Sequence, residues 1–212
     1  MKVAFIGLGV MGYPMAGHVK KSGTDVCVYN RTAAKAEQWC KEYGGEMAST
    51  PTEAAKGCDI VLVCVGNDSD VRQVVAGQEG ALKGMKENSI LVDHTTASAS
   101  LARELHSDAI AQGKRFLDAP VSGGQAGAEN AALTIMAGGD KDSYEKVCET
   151  IGHYSKFSKL MGSSGSGQLT KMVNQICIAG LVQGLSEAIN FGLNAGLKME
   201  DVILMENFKI LI

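Results

Sequence analysis

The chain has 212 residues and a formal net charge of −3, with 45% hydrophobic and 20% charged residues. That composition describes a globular chain long enough to bury a full core, and it excludes disorder. No block of Lys or Arg is present to meet a phosphate backbone, so no nucleic-acid partner is expected.

Glycine is the compositional anomaly: 26 residues, about 12% against a background of about 7%. Proline is scarce at 3, so the glycine does not mark a Pro/Gly-rich linker. It belongs at turns, at helix ends and where backbone meets a ligand. The six cysteines (Cys27, Cys40, Cys58, Cys64, Cys148 and Cys177) contain no C-x-x-C pair of a redox or zinc site; Cys27 and Cys64 lie in apolar runs as small buried hydrophobes, and a reducing cytoplasm is expected.

Met1-Lys2 before Val3-Ala4-Phe5-Ile6 looks like the start of a signal peptide, but three glycines break the run and no cleavage site follows. The short apolar run ending in glycine reads instead as a strand buried on both faces. A helix is predicted over residues 11–22, and a second strand at Val26-Cys27-Val28-Tyr29. Thr32 stands where it can cap a helix over residues 33–43. Further strands are predicted at residues 60–65, 90–92, 116–117 and 133–136, with helices at residues 70–76 and 98–112. Strands alternating with helices predict βαβ units and an α/β fold, a Rossmann-type doubly wound, mostly parallel sheet.

Composition shifts near Gly162. Residues 161–167 read as a small-residue hinge, residues 168–195 as one long helix, and a shorter helix begins near Met199. The expected domains are 1–162, a cofactor-binding domain, and 163–212, an incomplete all-α domain that starts with the long interdomain helix. The most apolar later stretch, residues 176–185, is too short to span a bilayer, and no membrane partner is expected.

Gly7-Leu8-Gly9-Val10-Met11-Gly12 fits G-x-G-x-x-G between a strand and a helix. Gly7 permits the tight turn, Gly9 lets backbone approach a pyrophosphate, and Gly12 lets the helix pack close to the strand. Uncapped N–H groups and the helix dipole then favour the phosphates. At the end of the second strand NAD binders place an acid, but here the residues are Asn30, Arg31 and Thr32. Arg31 can hold a 2′-phosphate, with Asn30 and Thr32 as additional donors, so NADP is expected over NAD.

Ligands of an open α/β sheet sit beyond the carboxyl ends of its strands. Three stretches fall there: Cys64-Val65-Gly66-Asn67, Asp93-His94-Thr95-Thr96 and Asp118-Ala119-Pro120-Val121-Ser122-Gly123-Gly124. Ser122 with the amides of Gly123 and Gly124 reads equally well as a carboxylate cradle or as a glycine turn with a capping serine.

Residues 5–16, residues 118–124 and Gly165-Ser166-Gly167-Gln168-Leu169-Thr170-Lys171-Met172-Val173-Asn174-Gln175 together resemble the β-hydroxyacid dehydrogenase family. That family includes 3-hydroxyisobutyrate dehydrogenase, tartronate semialdehyde reductase and the glyoxylate/succinic semialdehyde reductases. The resemblance implies hydride transfer between a nicotinamide and a small β-hydroxy acid or aldehyde acid, with Lys171 as acid/base. It also implies that Ser122 and Gly123 bind the substrate carboxylate and that Thr96 lies on the nicotinamide side. Asn174 would orient Lys171 or the substrate, and Gly165 and Gly167 would bring backbone close to cofactor or substrate.

Two departures stand out. Gln175 replaces the family's second asparagine, which implies adjusted substrate geometry. Family members also continue into a helical bundle beyond position 212, so a truncated or frame-altered chain is expected. Self-association through the C-terminal helices would then cover exposed apolar surface, including Ile210-Leu211-Ile212. The alternative reading is a catalytically weak NADP-binding module. His18, His94, His106 and His153 form no cluster with carboxylates, and no metal site is expected.

Overall fold

In a computed structural model, residues 1–206 are described; the apolar run at 210–212 lies outside them. The elements in chain order are β1 (Lys2–Ile6), α1 (Gly12–Lys21), β2 (Asp25–Tyr29), α2 (Ala33–Tyr43), β3 (Glu46–Met47), α3 (Pro51–Ala55), β4 (Ile60–Val63), α4 (Asp68–Ala76), α5 (Ala81–Gly84) and β5 (Ile90–Asp93). They continue with α6 (Ala99–Ala111), β6 (Arg115–Asp118), β7 (Val121–Ser122), α7 (Gly124–Glu129), β8 (Leu133–Gly138), α8 (Lys141–Gly152), β9 (Ser155–Gly162), α9 (Ser166–Asn194) and α10 (Met199–Glu206).

One mixed, mostly parallel sheet runs β3-β2-β1-β4-β5-β6-β8-β7, with β9 on β8. Every neighbour pair from β3 to β6 is parallel, as βαβ crossovers require. β8 runs antiparallel to β6 and β7. This is the doubly wound Rossmann-type arrangement.

The reason the strands read as unbroken apolar runs is visible in the core. Val3, Phe5, Val28, Leu62 and Val92 face one buried cluster with Trp39 and Tyr154, while Ala4, Ile6, Cys27, Val61, Val63 and Leu91 face the other. Alternate residues enter opposite cores, so neither face can be polar.

Several elements escape a periodicity reading. The helix Pro51–Ala55 has a local signal after all: Thr50 caps it by accepting the Glu53 amide, and Pro51 opens it. Helix α8 is likewise announced by Asp140, which accepts the Ser143 amide. Strand β9 mixes Lys156 and Lys159 with serines and apolar residues and stays partly to fully exposed, so it lacks the buried-strand signature. Thr32 occupies the N-cap position of α2, but its side chain makes no capping bond, contrary to the sequence expectation.

Two compact units separate within α9: the first runs Met1–Lys171 and the second begins at Met172. The stretch 161–167 is the end of β9, a turn and the first two residues of α9. Helix α9 spans 29 residues with a mean hydropathy of 1.4 over its most apolar window, so by length and composition alone it could cross a bilayer. The shorter apolar run that the sequence emphasises understates it.

Candidate functional site

The strand-to-helix turn after β1 is built as its glycines require. Gly7 has φ +98°, and a Cβ there would collide with the Cys64 carbonyl. A Cβ on Gly12 would collide with the Gly7 carbonyl, so that glycine sets how closely α1 approaches its own strand. A Cβ on Gly9 would meet nothing within 4 Å, leaving open space above the backbone. No side chain caps α1 at Met11, and no acidic residue lies in its first turn. The Tyr13 amide donates to the Gly9 carbonyl at 3.0 Å and Pro14 has no N–H, so what faces an anion is the positive dipole end and the glycine backbone ahead of Tyr13.

The turn is clamped to the end of β2. The Gly7 amide donates to the Tyr29 carbonyl at 2.8 Å, and the Leu8 amide donates to Asn30 Oδ1 at 2.9 Å. Asn30 Nδ2 donates in turn to the Thr32 carbonyl at 3.0 Å. Asn30 is thus a brace between the two loops. Leu8, which the motif places in the turn, points its side chain into the core and commits its amide to Asn30.

A cavity of about 600 Å³ opens at these carboxyl ends. Gly7, Gly9, Val10, Met11 and Gly12 form one wall, Asn30, Arg31, Thr32 and Lys35 a second, and Cys64, Val65, Gly66 and Asp70 a third. Val10 is 67% exposed there, an apolar side chain left bare beside the turn. Burial, aided by the Asp93 charge, pushes the Cys64 thiol up to about 12, so it is an uncharged part of the wall. Shape, open glycine backbone and the positive end of α1 fit a dinucleotide.

A second constellation joins β5, β6 and the start of α9. Asp93 and Asp118 are partners in register at the ends of β5 and β6. Asp118 Oδ1 accepts the Gly165 amide at 2.7 Å, and its Oδ2 accepts the Gln168 amide at 2.9 Å. Gln168 is fully buried; its Nε2 donates to the Thr95 carbonyl at 2.7 Å and its Oε1 accepts the Ala97 amide at 3.0 Å. The Thr95 hydroxyl accepts the Val65 amide at 3.0 Å, which links this loop to the cavity wall. Exposed Thr96 sits between the two residues that Gln168 holds.

Lys171 lies three residues beyond Gln168, on the same face of α9. It is only 9% exposed and has no ion pair among the described residues, and burial lowers its ammonium pKa. Asp93 is pushed up to about 7 by burial, against the opposing Thr95 hydrogen bonds. His94 is pushed down to about 4 by burial; its Nδ1 lies 2.7 Å from the Ala119 carbonyl and its Nε2 2.8 Å from the Tyr154 hydroxyl.

Gly165 and Gly167 each have a steric reason to be glycine. A Cβ on Gly167 would collide with the Met136 carbonyl and lie 2.7 Å from the Asp118 carbonyl, and Gly165 has φ +90° against Ala99 and Arg103. Gly167 lets the start of α9 dock on β6 and β8, and Gly165 lets the turn before it pass close to α6. At the third stretch, Ser122 ends β7, and Gly123 with φ +131° and Gly124 with φ +61° turn the chain into α7. The glycine turn is present, but Ser122 makes no capping bond. Asn174 and Gln175 belong to the second unit, where Asn174 Nδ2 donates to Gln175 Oε1 at 3.4 Å.

Asp118 and Gln168 are the residues that sequence reasoning passed over as functional. The available signal was an acid at a strand end and a helix that starts with no acidic cap of its own.

Residues 2–173 match the NAD binding domain of 6-phosphogluconate dehydrogenase. An uncharacterized oxidoreductase of Shewanella frigidimarina is 62% identical over 196 residues, covering 92% of this chain and 67% of that protein. The mitochondrial 3-hydroxyisobutyrate dehydrogenase of Mus musculus is 34% identical, with 92% of this chain and 58% of that protein covered. Among solved structures, 3-hydroxyisobutyrate dehydrogenase of Mycobacterium tuberculosis with L-serine superposes with a TM-score of 0.88 at 29% identity, over 95% of this chain and 69% of that one. The chain thus spans between about three fifths and two thirds of the length of these relatives.

Proposed function

The chain belongs to the NAD(P)-dependent hydroxyacid dehydrogenase family built on the 6-phosphogluconate-dehydrogenase type of NAD-binding domain, and on that premise we propose that it prefers NADP and acts on a small β-hydroxy acid or aldehyde acid. Substrates of the 3-hydroxyisobutyrate, tartronate semialdehyde, glyoxylate or succinic semialdehyde type fit this reading. The bound dinucleotide would supply or accept the hydride. Lys171 is the acid/base: its ammonium donates a proton to the carbonyl oxygen in reduction, and its neutral amine takes one from the hydroxyl in oxidation. Thr96 stands on the nicotinamide side, and Ser122 with the Gly123 and Gly124 amides receives the substrate carboxylate.

The observation that carries this reading is Lys171 itself. A lysine this buried, without an ion pair among the described residues, costs stability, and that makes it a candidate for a functional rather than a structural role. A pKa lowered by burial suits a group that must both give and take a proton. Arg31 supports NADP, because an exposed guanidinium stands where NAD binders carry an acid.

Steady-state assays with NADPH and NADH on these four substrate types test the reading. Turnover with NADPH that falls at least 100-fold in Lys171→Ala is expected. Equal rates in the variant, or a preference for NADH, would overturn the acid/base or the cofactor assignment respectively.

Self-association through α9 is also proposed, supported by Ile176, Val182 and Phe191, which are all exposed on that helix. Sedimentation equilibrium tests it: a homo-oligomer is expected, and a monomer at micromolar concentration would exclude it.

A further inference from the structure

We propose that Asp70 sets the discrimination between the two nicotinamide dinucleotides by competing with a bound 2′-phosphate for the Arg31 guanidinium. This rests on the reading of the cavity as the dinucleotide site. Arg31 Nη1 donates to Asp70 Oδ1 at 3.2 Å, and both residues line the same cavity.

The two partners are unequally held. The Asp70 amide donates to Asn67 Oδ1 at 3.0 Å while Asn67 Nδ2 donates to Asp70 Oδ2 at 3.1 Å, so the carboxylate is fixed at the start of α4. Arg31, whose side chain is 81% exposed, is the member free to move. Only one of its five N–H donors is engaged with Asp70, so it can turn toward a second anion.

A phosphate close to −2 that reaches this guanidinium also comes near the Asp70 charge. It must draw Arg31 away from that carboxylate and bear the repulsion. A neutral 2′-hydroxyl meets neither penalty. Asp70 on α4 therefore holds down the preference that Arg31 creates.

Direct binding of NADPH and NADH to the chain, by calorimetry or nicotinamide fluorescence at two ionic strengths, tests this without turnover. In Asp70→Asn, which keeps an acceptor for Asn67, NADPH is expected to bind about fivefold more tightly and NADH within about twofold of wild type, with the gain shrinking at high salt. Asp70→Ser, with its unfolding midpoint measured, provides the second variant and the same expected direction. Unchanged or weaker NADPH binding in both, while Arg31→Ala still loses NADPH affinity, would overturn the role of Asp70. If Arg31→Ala leaves NADPH affinity unchanged, the assignment of Arg31 to the phosphate fails first, and this proposal falls with it.

Discussion

Asp118 fastens Gln168: the Gln168 amide donates to Asp118 Oδ2 at 2.9 Å, while the other carboxylate oxygen takes the Gly165 amide. One acid at the end of β6 thereby closes the first turn of the helix that carries Lys171. Removing it leaves two buried donors without partners. Asp118→Ala is expected to lower unfolding free energy by about 2 to 4 kcal/mol, and Asp118→Asn by roughly half as much. Denaturant unfolding checks this, and an Asp118→Ala midpoint equal to wild type would contradict it.

The glycines of the first turn separate folding from binding. A methyl group at Gly9 enters open space, so Gly9→Ala should fold with stability within about 1 kcal/mol of wild type and yet bind NADPH at least tenfold more weakly. A methyl group at Gly12 meets the Gly7 carbonyl, so Gly12→Ala should lose more than about 3 kcal/mol. Unfolding midpoints and binding isotherms on the same preparations would expose any reversal of that order.

Lys171 sets stability against activity. Burial lowers its pKa, so the stability lost by desolvating its charge is missing at all pH values below the folded pKa. Lys171→Met keeps the packing and removes the charge. The variant should melt higher than wild type, by a few degrees, and should not turn over. A lower melting temperature would mean that the ammonium is stabilised by contacts in the folded chain.

Asp93 and His94 pull the pH dependence of stability in opposite directions. Asp93, raised to about 7 from an unfolded value near 3.9, contributes stability that is present below pH about 4 and lost as pH rises through 7. His94, lowered to about 4 from near 6.5, contributes stability that is present above pH about 6.5 and lost as pH falls toward 4. Burial also raises Asp118, which adds to the Asp93 direction. The two slopes offset between pH 4 and 6.5. Asp93→Asn keeps an oxygen for the Thr95 amide and removes one slope, so its stability should climb more steeply from pH 4 to 6.5 than that of wild type. Urea midpoints at four pH values measure it, and parallel profiles would refute it.

Much of the cofactor half was legible because it is local. The run Val3-Ala4-Phe5-Ile6 followed by Gly7, Gly9 and Gly12 encodes strand, turn and helix within twelve residues, and Gly7 and Gly12 there each have a steric reason. The expected strands near residues 26, 60, 90, 116 and 133 all appear, since burial on both faces leaves an unbroken apolar signature. Strand β9 and helix α7 were not legible, because one is half exposed and the other begins on glycines whose conformation is set by what surrounds them.

By itself the sequence determined the doubly wound order of strands and helices, the phosphate turn, and the presence of a lysine in a recognisable motif. Periodicity and steric demand act over a few residues and are written in the residue types. Only the tertiary structure decided which partners meet across long separations. It joined Asp118 to Gly165 and Gln168, Gln168 to Thr95, and Arg31 to Asp70. Such pairings depend on sheet register and crossover geometry, which place strand ends side by side whatever their distance along the chain.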